Sequence, residues 1–354
     1  MNETAHPPAP ARAAPVRAAS TSNRPLIAGV AVCVVIALVA EAAGRLLPVI
    51  GAPIIAIVIG VAITNLVGHA PVAGRLRIKE VSGFALRAGI VILGATLNLG
   101  DVAHTGANSL PLLALTLTLG LAFPLLVGRS LGVDWRMRCL IGMGTTICGA
   151  SAIAALAPVL RAKTEEIAYS ISVIFFFNML AVIIFPWFGH MLHLSDTGFG
   201  LWSGTAVNDT SAVVAAAFAY SPEAGAYATI VKLTRTTLII PLVLGFGLLM
   251  PWLDPEHRAE KTNLLGRIGK VIPWFIGLFV LASLANTLGL VGPAAPTLQL
   301  LARFVLVVAL AAVGLQAHWR AFAGAGFGPL LLGLGTWAVV AVSSLVVQAW
   351  TAQL

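Results

Sequence analysis

The run Gly204-Thr205-Ala206-Val207-Asn208-Asp209-Thr210-Ser211-Ala212 places a carboxylate, an amide and several hydroxyls in apolar surroundings, and two fixed cations, Lys232 and Arg235, follow. In hydrocarbon such groups are costly unless they meet partners, water or a ligand, so their default reading is functional. A second interruption stands at Gly144-Thr145-Thr146-Ile147-Cys148-Gly149-Ala150-Ser151. Both share a design: glycine lets a helix unwind, and hydroxyls and freed backbone groups then face a cavity. Freed N–H groups at a half-helix N-terminus hold an anion, and freed carbonyls hold a cation. The candidate substrate- or ion-binding residues are therefore Thr145, Thr146, Cys148, Ser151, Thr205, Asn208, Asp209, Thr210, Ser211, Lys232 and Arg235, with Asn98 further off.

Each has a plainer reading. Small residues such as Ala150, Ala152 and Ala212 also let membrane helices approach closely. Lys232 and Arg235 are three apart and share a helical face. They would balance Asp209 in an empty site and hold an anion once Asp209 is protonated; a structural ion pair or snorkelling is the alternative. Arg87 and Arg303 lie within apolar runs and could line the same path, while Asn98, Gln316, Asn178 and Ser172 either extend a polar pathway or glue helices together. His190 and His193 sit at a span end beside Trp187, which suits an interface better than a metal site. No Walker motif or hydrolase constellation is present, so the expectation is a non-enzyme with no metal and no cofactor.

What positions these residues is a membrane. Of 354 residues, 59% are hydrophobic and 10% charged, and the mean hydropathy is +0.97. Soluble domains carry roughly 25% charged residues. Eleven apolar runs, at about 25–47, 52–68, 84–100, 109–128, 139–160, 167–189, 198–220, 226–252, 271–291, 297–316 and 328–351, approach the length that crosses a bilayer. Counted as eleven crossings from a cytoplasmic N-terminus, they place 14 of the 21 Lys and Arg in cytoplasmic segments. These are Arg12, Arg17, Arg24, Arg75, Arg77, Lys79, Arg129, Arg136, Arg138, Arg258, Lys261, Arg267, Lys270 and Arg320. That bias accounts for the net charge of +8 without nucleic acid. Arg161 and Lys163 fall on the wrong side. Cys33, Cys139 and Cys148 have neither disulfide nor metal spacing. Residues 1–24, rich in Ala and Pro, read as a disordered cytoplasmic tail, and 25–354 as one polytopic transmembrane domain.

Two self-similarities refine this picture. Residues 144–157 recur at 204–217, with Gly144/Gly204, Thr145/Thr205, Ser151/Ser211 and Ala152/Ala212 identical. Residues 97–118 match 315–336, including Pro111-Leu112-Leu113 with Pro329-Leu330-Leu331. Inverted repeats with polar interruptions mark secondary transporters, yet eleven plain crossings make the two Gly-Thr segments run in the same direction. Re-entrant hairpins from opposite faces would invert them and return Arg161 and Lys163 to the cytoplasm. The sequence permits both forms. The expected fold is thus an all-α integral membrane protein of about 9–11 transmembrane helices, with internal inverted repeats and two broken or re-entrant Gly-rich helices.

Leu93-Gly94-Ala95-Thr96-Leu97-Asn98, Cys148-Gly149-Ala150-Ser151-Ala152-Ile153-Ala154-Ala155, Gly204–Ser211 and Ala228-Thr229-Ile230-Val231-Lys232-Leu233-Thr234-Arg235 resemble the YeiH-type sulfate exporter family. The resemblance spans nearly all of the chain from about residue 25. It implies a bacterial inner-membrane protein that exports sulfate or sulfite. More distantly, the layout is similar to bile-acid symporters and sodium/proton antiporters, where broken helices cross at the site and an acidic residue beside Asn binds the coupling ion. That likeness gives Asp209 the ion or proton and Lys232 or Arg235 the anion.

The expectation is a secondary transporter exporting a small anion, with a coupling proton or sodium ion, the lipid bilayer as its surroundings, and a homo-oligomer open. The rivals are a cation/proton antiporter and a non-transporting membrane binding subunit.

Overall fold

A computed structural model describes residues 24–46, 51–67, 76–253, 273–317, 326–351 and 353. The N-terminal tail, Arg75, the basic residues Arg258 to Lys270 and Arg320 lie outside the described residues. Every regular element among those described is helical: α1 Arg24–Leu46, α2 Gly51–Val67, α3 Ile78–Gly94, α4 Leu99–Val127, α5 Trp135–Thr146, α6 Ala150–Leu160, α7 Thr164–Met191, α8 Asp196–Ala206, α9 Thr210–Tyr220, α10 Pro222–Thr237, α11 Ile239–Leu253, α12 Trp274–Thr287, α13 Ala295–Gly314 and α14 Phe327–Trp350. Six helical stretches are long and apolar enough to cross a membrane. Large apolar side chains such as Phe84, Leu126 and Leu248 are exposed, as a lipid-facing surface requires. This is an all-α, multi-pass integral membrane protein.

Two expected spans are helical hairpins. The run at 139–160 is α5 and α6, and its ends meet: Arg136 Nε donates to Leu160 O at 3.0 Å. The run at 198–220 is α8 and α9, and its ends meet too, with the Phe199 and Tyr220 rings stacked at 4.0 Å. Helices of 11 or 12 residues reach about 17 Å, roughly half the hydrocarbon thickness. Each hairpin therefore turns near the midplane. The 28-residue α7 is long enough to cross and joins the foot of the first hairpin to the foot of the second. The two accordingly enter from opposite faces.

This settles the direction problem. Hairpin α5–α6 with α7, and hairpin α8–α9 with α10, are the same unit in opposite orientation, which is why 144–157 matches 204–217. The second match behaves likewise. The C-terminal end of α4 meets the start of α14, since a Cβ on Gly328 would lie 2.9 Å from Leu131 O. Arg161 and Lys163, at the foot of the first hairpin, now share a face with Arg129, Arg136 and Arg138.

Local chemistry explains boundaries that hydropathy misplaces. The run expected at 84–100 is helical from Ile78 and stops at Gly94, because Asn98 caps the next helix by accepting from Gly100 N at 2.7 Å. α4 thus starts ten residues before the apolar run at about 109, carrying Asp101 in its first turn. At the head of α3 Arg77 pairs with Glu80 at 2.5 Å, and that hydrogen bond holds the Glu80 carboxyl below its ordinary range.

Aromatic and small residues fix the second hairpin. Phe185 stacks on Trp202 at 4.2 Å and His190 on Tyr220 at 4.3 Å, tying α7 to both arms. Trp202 Nε1 donates to Ala341 O of α14 at 3.0 Å. Gly200 and Gly204 of α8 face Ala224 and Ala228 of α10, and an added Cβ would come within 3.0 and 3.1 Å of the carbonyls of those alanines. This is close small-residue packing between parallel helices.

Candidate functional site

The hairpin tips meet each other. Gly149 has φ 65° and ψ −129°, a backbone state that only glycine adopts readily. A Cβ there would stand 3.4 Å from Asp209 Cβ, so the two tips face each other with room for little more than a methyl group between them. Two C-terminal helix ends, of α5 and α8, and two N-terminal ends, of α6 and α9, therefore converge in the interior.

Lys232 and Arg235 of α10 serve the C-terminal ends. Lys232 Nζ donates to Ile147 O at 2.7 Å, to Val207 O at 2.9 Å and to Asn208 O. Arg235 donates from Nη2 to Thr145 O at 2.8 Å, from Nε to Thr146 O and from Nη1 to Thr205 O. The two residues are 0% and 1% exposed. All three ammonium donors are used, and neither side chain lines the cavities beside the tips. Among the described residues no ion pair joins either to Asp209; their counter-charge is the dipole of the carbonyls.

The N-terminal ends differ. Asp209 caps α9, accepting from Ser211 N at 2.9 Å and from Ser211 Oγ. Asn178 of α7 reaches the same tip, where its Oδ1 accepts from Asn208 N at 3.2 Å and Asp209 N at 3.0 Å. At α6, by contrast, Gly149 supplies no side-chain cap, Ala150 and Ser151 are exposed, and the first-turn N–H groups have no intrahelical acceptor.

The uncapped end opens on a cavity of about 310 Å³ lined by Arg87, Cys148, Ser151, Asp209, Thr210 and Thr236, among others. Arg87 lies 5.9 Å from the Trp274 ring and donates to Gly83 O at 2.6 Å. A second, small cavity of about 40 Å³ is lined by Asn178, Asp209 and Ser211, with Val313 and Gly314 of α13. Asp209 borders both. One carboxylate is thus poised between two spaces, with an open helix N-terminus, an arginine and three hydroxyls around the larger.

Thr205 Oγ1 contacts Ser344 Oγ of α14 at 2.6 Å, and Thr146 Oγ1 donates to Gly142 O at 2.7 Å. Thr145 Oγ1 and both side-chain polar atoms of Asn208 are buried without a hydrogen-bond partner. Asn98 stands at the α3–α4 turn as a helix cap, where Leu99 N donates to Thr287 Oγ1 at 2.8 Å, and it does not line either cavity. Thr236, which also lines the larger cavity, is one threonine among several in its helix, and its spacing of four from Lys232 is its one sequence signal. In the sequence Asn178 is only a polar residue within a span. Its grip on the second tip has no sequence signature, because the bond joins residues 30 and 31 apart.

The chain matches, over residues 26–333, a family model described as "Conserved hypothetical protein 698". It is similar to a UPF0324 membrane protein of Streptococcus pyogenes serotype M18, 40% identical over 332 residues, covering 90% of this chain and 96% of that one. It is likewise similar to one from Clostridium tetani, 36% identical over 335 residues with the same coverage. A third, from Streptococcus pneumoniae, is 39% identical over 333 residues, covering 91% of this chain and 96% of the relative. No solved structure matches. These relatives and the helical architecture identify a multi-pass protein of the bacterial cell membrane, and the chain belongs to the UPF0324 membrane protein family.

Proposed function

We propose that this protein is a secondary transporter that exports a small oxyanion, of the sulfate or sulfite type, across the inner membrane by alternating access. The observation that carries the reading is the meeting of two opposed re-entrant hairpins at an open helix N-terminus, beside a carboxylate that borders two cavities. Broken backbone at membrane depth is tolerated where it lines a cavity, and half-helix N-termini there receive anions.

In this reading the anion sits against the first-turn N–H groups of α6, with Ser151, Thr210 and Thr236 donating hydroxyls and Arg87 adding charge. Asp209 takes up the coupling proton or sodium ion. An ionised Asp209 repels an arriving anion and a neutralised one does not, so ion and anion bind together. Lys232 and Arg235 keep the tips joined, and their charge adds to the positive potential around the cavity. The resemblance to the YeiH-type family supports the choice of sulfate.

The test is uptake of radiolabelled sulfate into proteoliposomes with and without a pH gradient, wild type beside Asp209→Asn. Gradient-dependent flux that vanishes in the variant is the expected result. Sodium-driven proton movement without sulfate flux would instead favour a cation/proton antiporter.

A further inference from the structure

Six backbone carbonyls, those of Thr145, Thr146, Ile147, Thr205, Val207 and Asn208, converge where α5 and α8 end. Each helix brings the equivalent of about half a negative charge to its C-terminus, and burial removes the water that would otherwise screen it. Facing helix C-termini with unwound carbonyls are the surroundings in which transporters coordinate small cations. Here the place is taken by side chains. The ammonium of Lys232 has three acceptors for its three donors and no solvent exposure, and no carboxylate pairs with it among the described residues.

We infer that Lys232 is a tethered cation filling a carbonyl cradle suited to a free monovalent cation. The hairpin tips of the wild-type protein therefore close without a metal ion. Removing the ammonium turns the cradle into a binding site for a small cation from solution. Arg235 does not prevent this, since the intact cradle already holds both charges. The inference stands whether or not an anion is transported.

Lys232→Ala removes three methylenes and the ammonium while leaving every carbonyl in place. Wild type and variant are extracted, purified and melted in ammonium chloride and, at equal ionic strength, in choline chloride, whose cation is too large for the cradle. The wild type should melt at the same temperature in both. Lys232→Ala should melt about 5 °C higher in ammonium, saturably with concentration. Lys232→Gln is the second variant: its amide returns two neutral N–H donors, so it should fold in both salts with a smaller ammonium shift. Variants indifferent to the choice of salt would overturn the inference, whether they fold in both or aggregate in both. A structural lysine that merely fills space gives no cation-selective recovery. Sulfate flux is not read, so a failure to transport leaves this test intact.

Discussion

The two hairpins are copies of one design, and they differ at the residue that starts the returning helix. In α5–α6 that residue is Gly149, with a positive φ and no side chain; in α8–α9 it is Asp209, extended, with a carboxylate that caps its own helix. The first tip is therefore open at its positive end and the second is closed. Asn178 adds to the asymmetry by gripping the second tip alone, through two backbone N–H groups. A symmetric pair would offer two equivalent anion sites. This pair offers one open helix N-terminus and, beside it, one carboxylate that caps its own helix, and it is on that difference that the proposed coupling of an anion to a second ion rests.

Substitutions at these positions separate the hairpins, and the largest effect belongs to the open tip. Gly149→Val combines a positive φ with the contact to Asp209, and should cost about 3 kcal/mol or more in detergent unfolding. A variant as stable as wild type would show that the tips do not touch. Asn178→Ala leaves the N–H groups of buried Asn208 and half-buried Asp209 without their acceptor and should cost about 2 kcal/mol; hydrogen exchange should rise at residues 208 and 209 and not at 149 and 150. If both tips loosen equally, Asn178 does not discriminate between them.

Removal of the built-in cap, by Asp209→Ala, should cost about 1 kcal/mol, whereas Asp209→Asn, which keeps a capping oxygen, should cost less than about 0.5 kcal/mol. Equal losses from the two would mean that the carboxylate is not acting as a cap. The smallest change adds a carboxylate to the open tip, two residues beyond the position equivalent to Asp209. Ser151→Asp places a carboxylate in the first turn of α6, where the helix dipole favours it and Asp209 across the same cavity opposes it, so the fold should change in stability by less than about 0.5 kcal/mol. On the proposed function, sulfate flux should fall about tenfold or more, because the negative charge would occupy the place proposed for the anion. Undiminished flux in that variant would move the anion site elsewhere.

Much of this was legible in the chain. Composition alone excludes a soluble domain, because no globular core could bury so much apolar surface. The polar interruptions at 144–151 and 204–211 are visible because membrane interiors tolerate few such residues, and their similarity is visible because they occupy equivalent places in a repeat. Lys232 and Arg235 announce themselves by cost. Their partners do not: side-chain charge is written in the sequence, but the carbonyls that balance it belong to every residue alike and become acceptors only where a helix stops.

The sequence by itself determined the membrane class, the candidate residues and the existence of repeats, since each follows from the price of placing a polar group in hydrocarbon. Only the tertiary structure decided that the Gly-Thr segments turn back at the midplane. A break flanked by two apolar half-helices reads the same whether the chain continues or reverses. The direction is fixed by long-range contacts such as Arg136 with Leu160 and Phe199 with Tyr220, and local patterning carries no record of those.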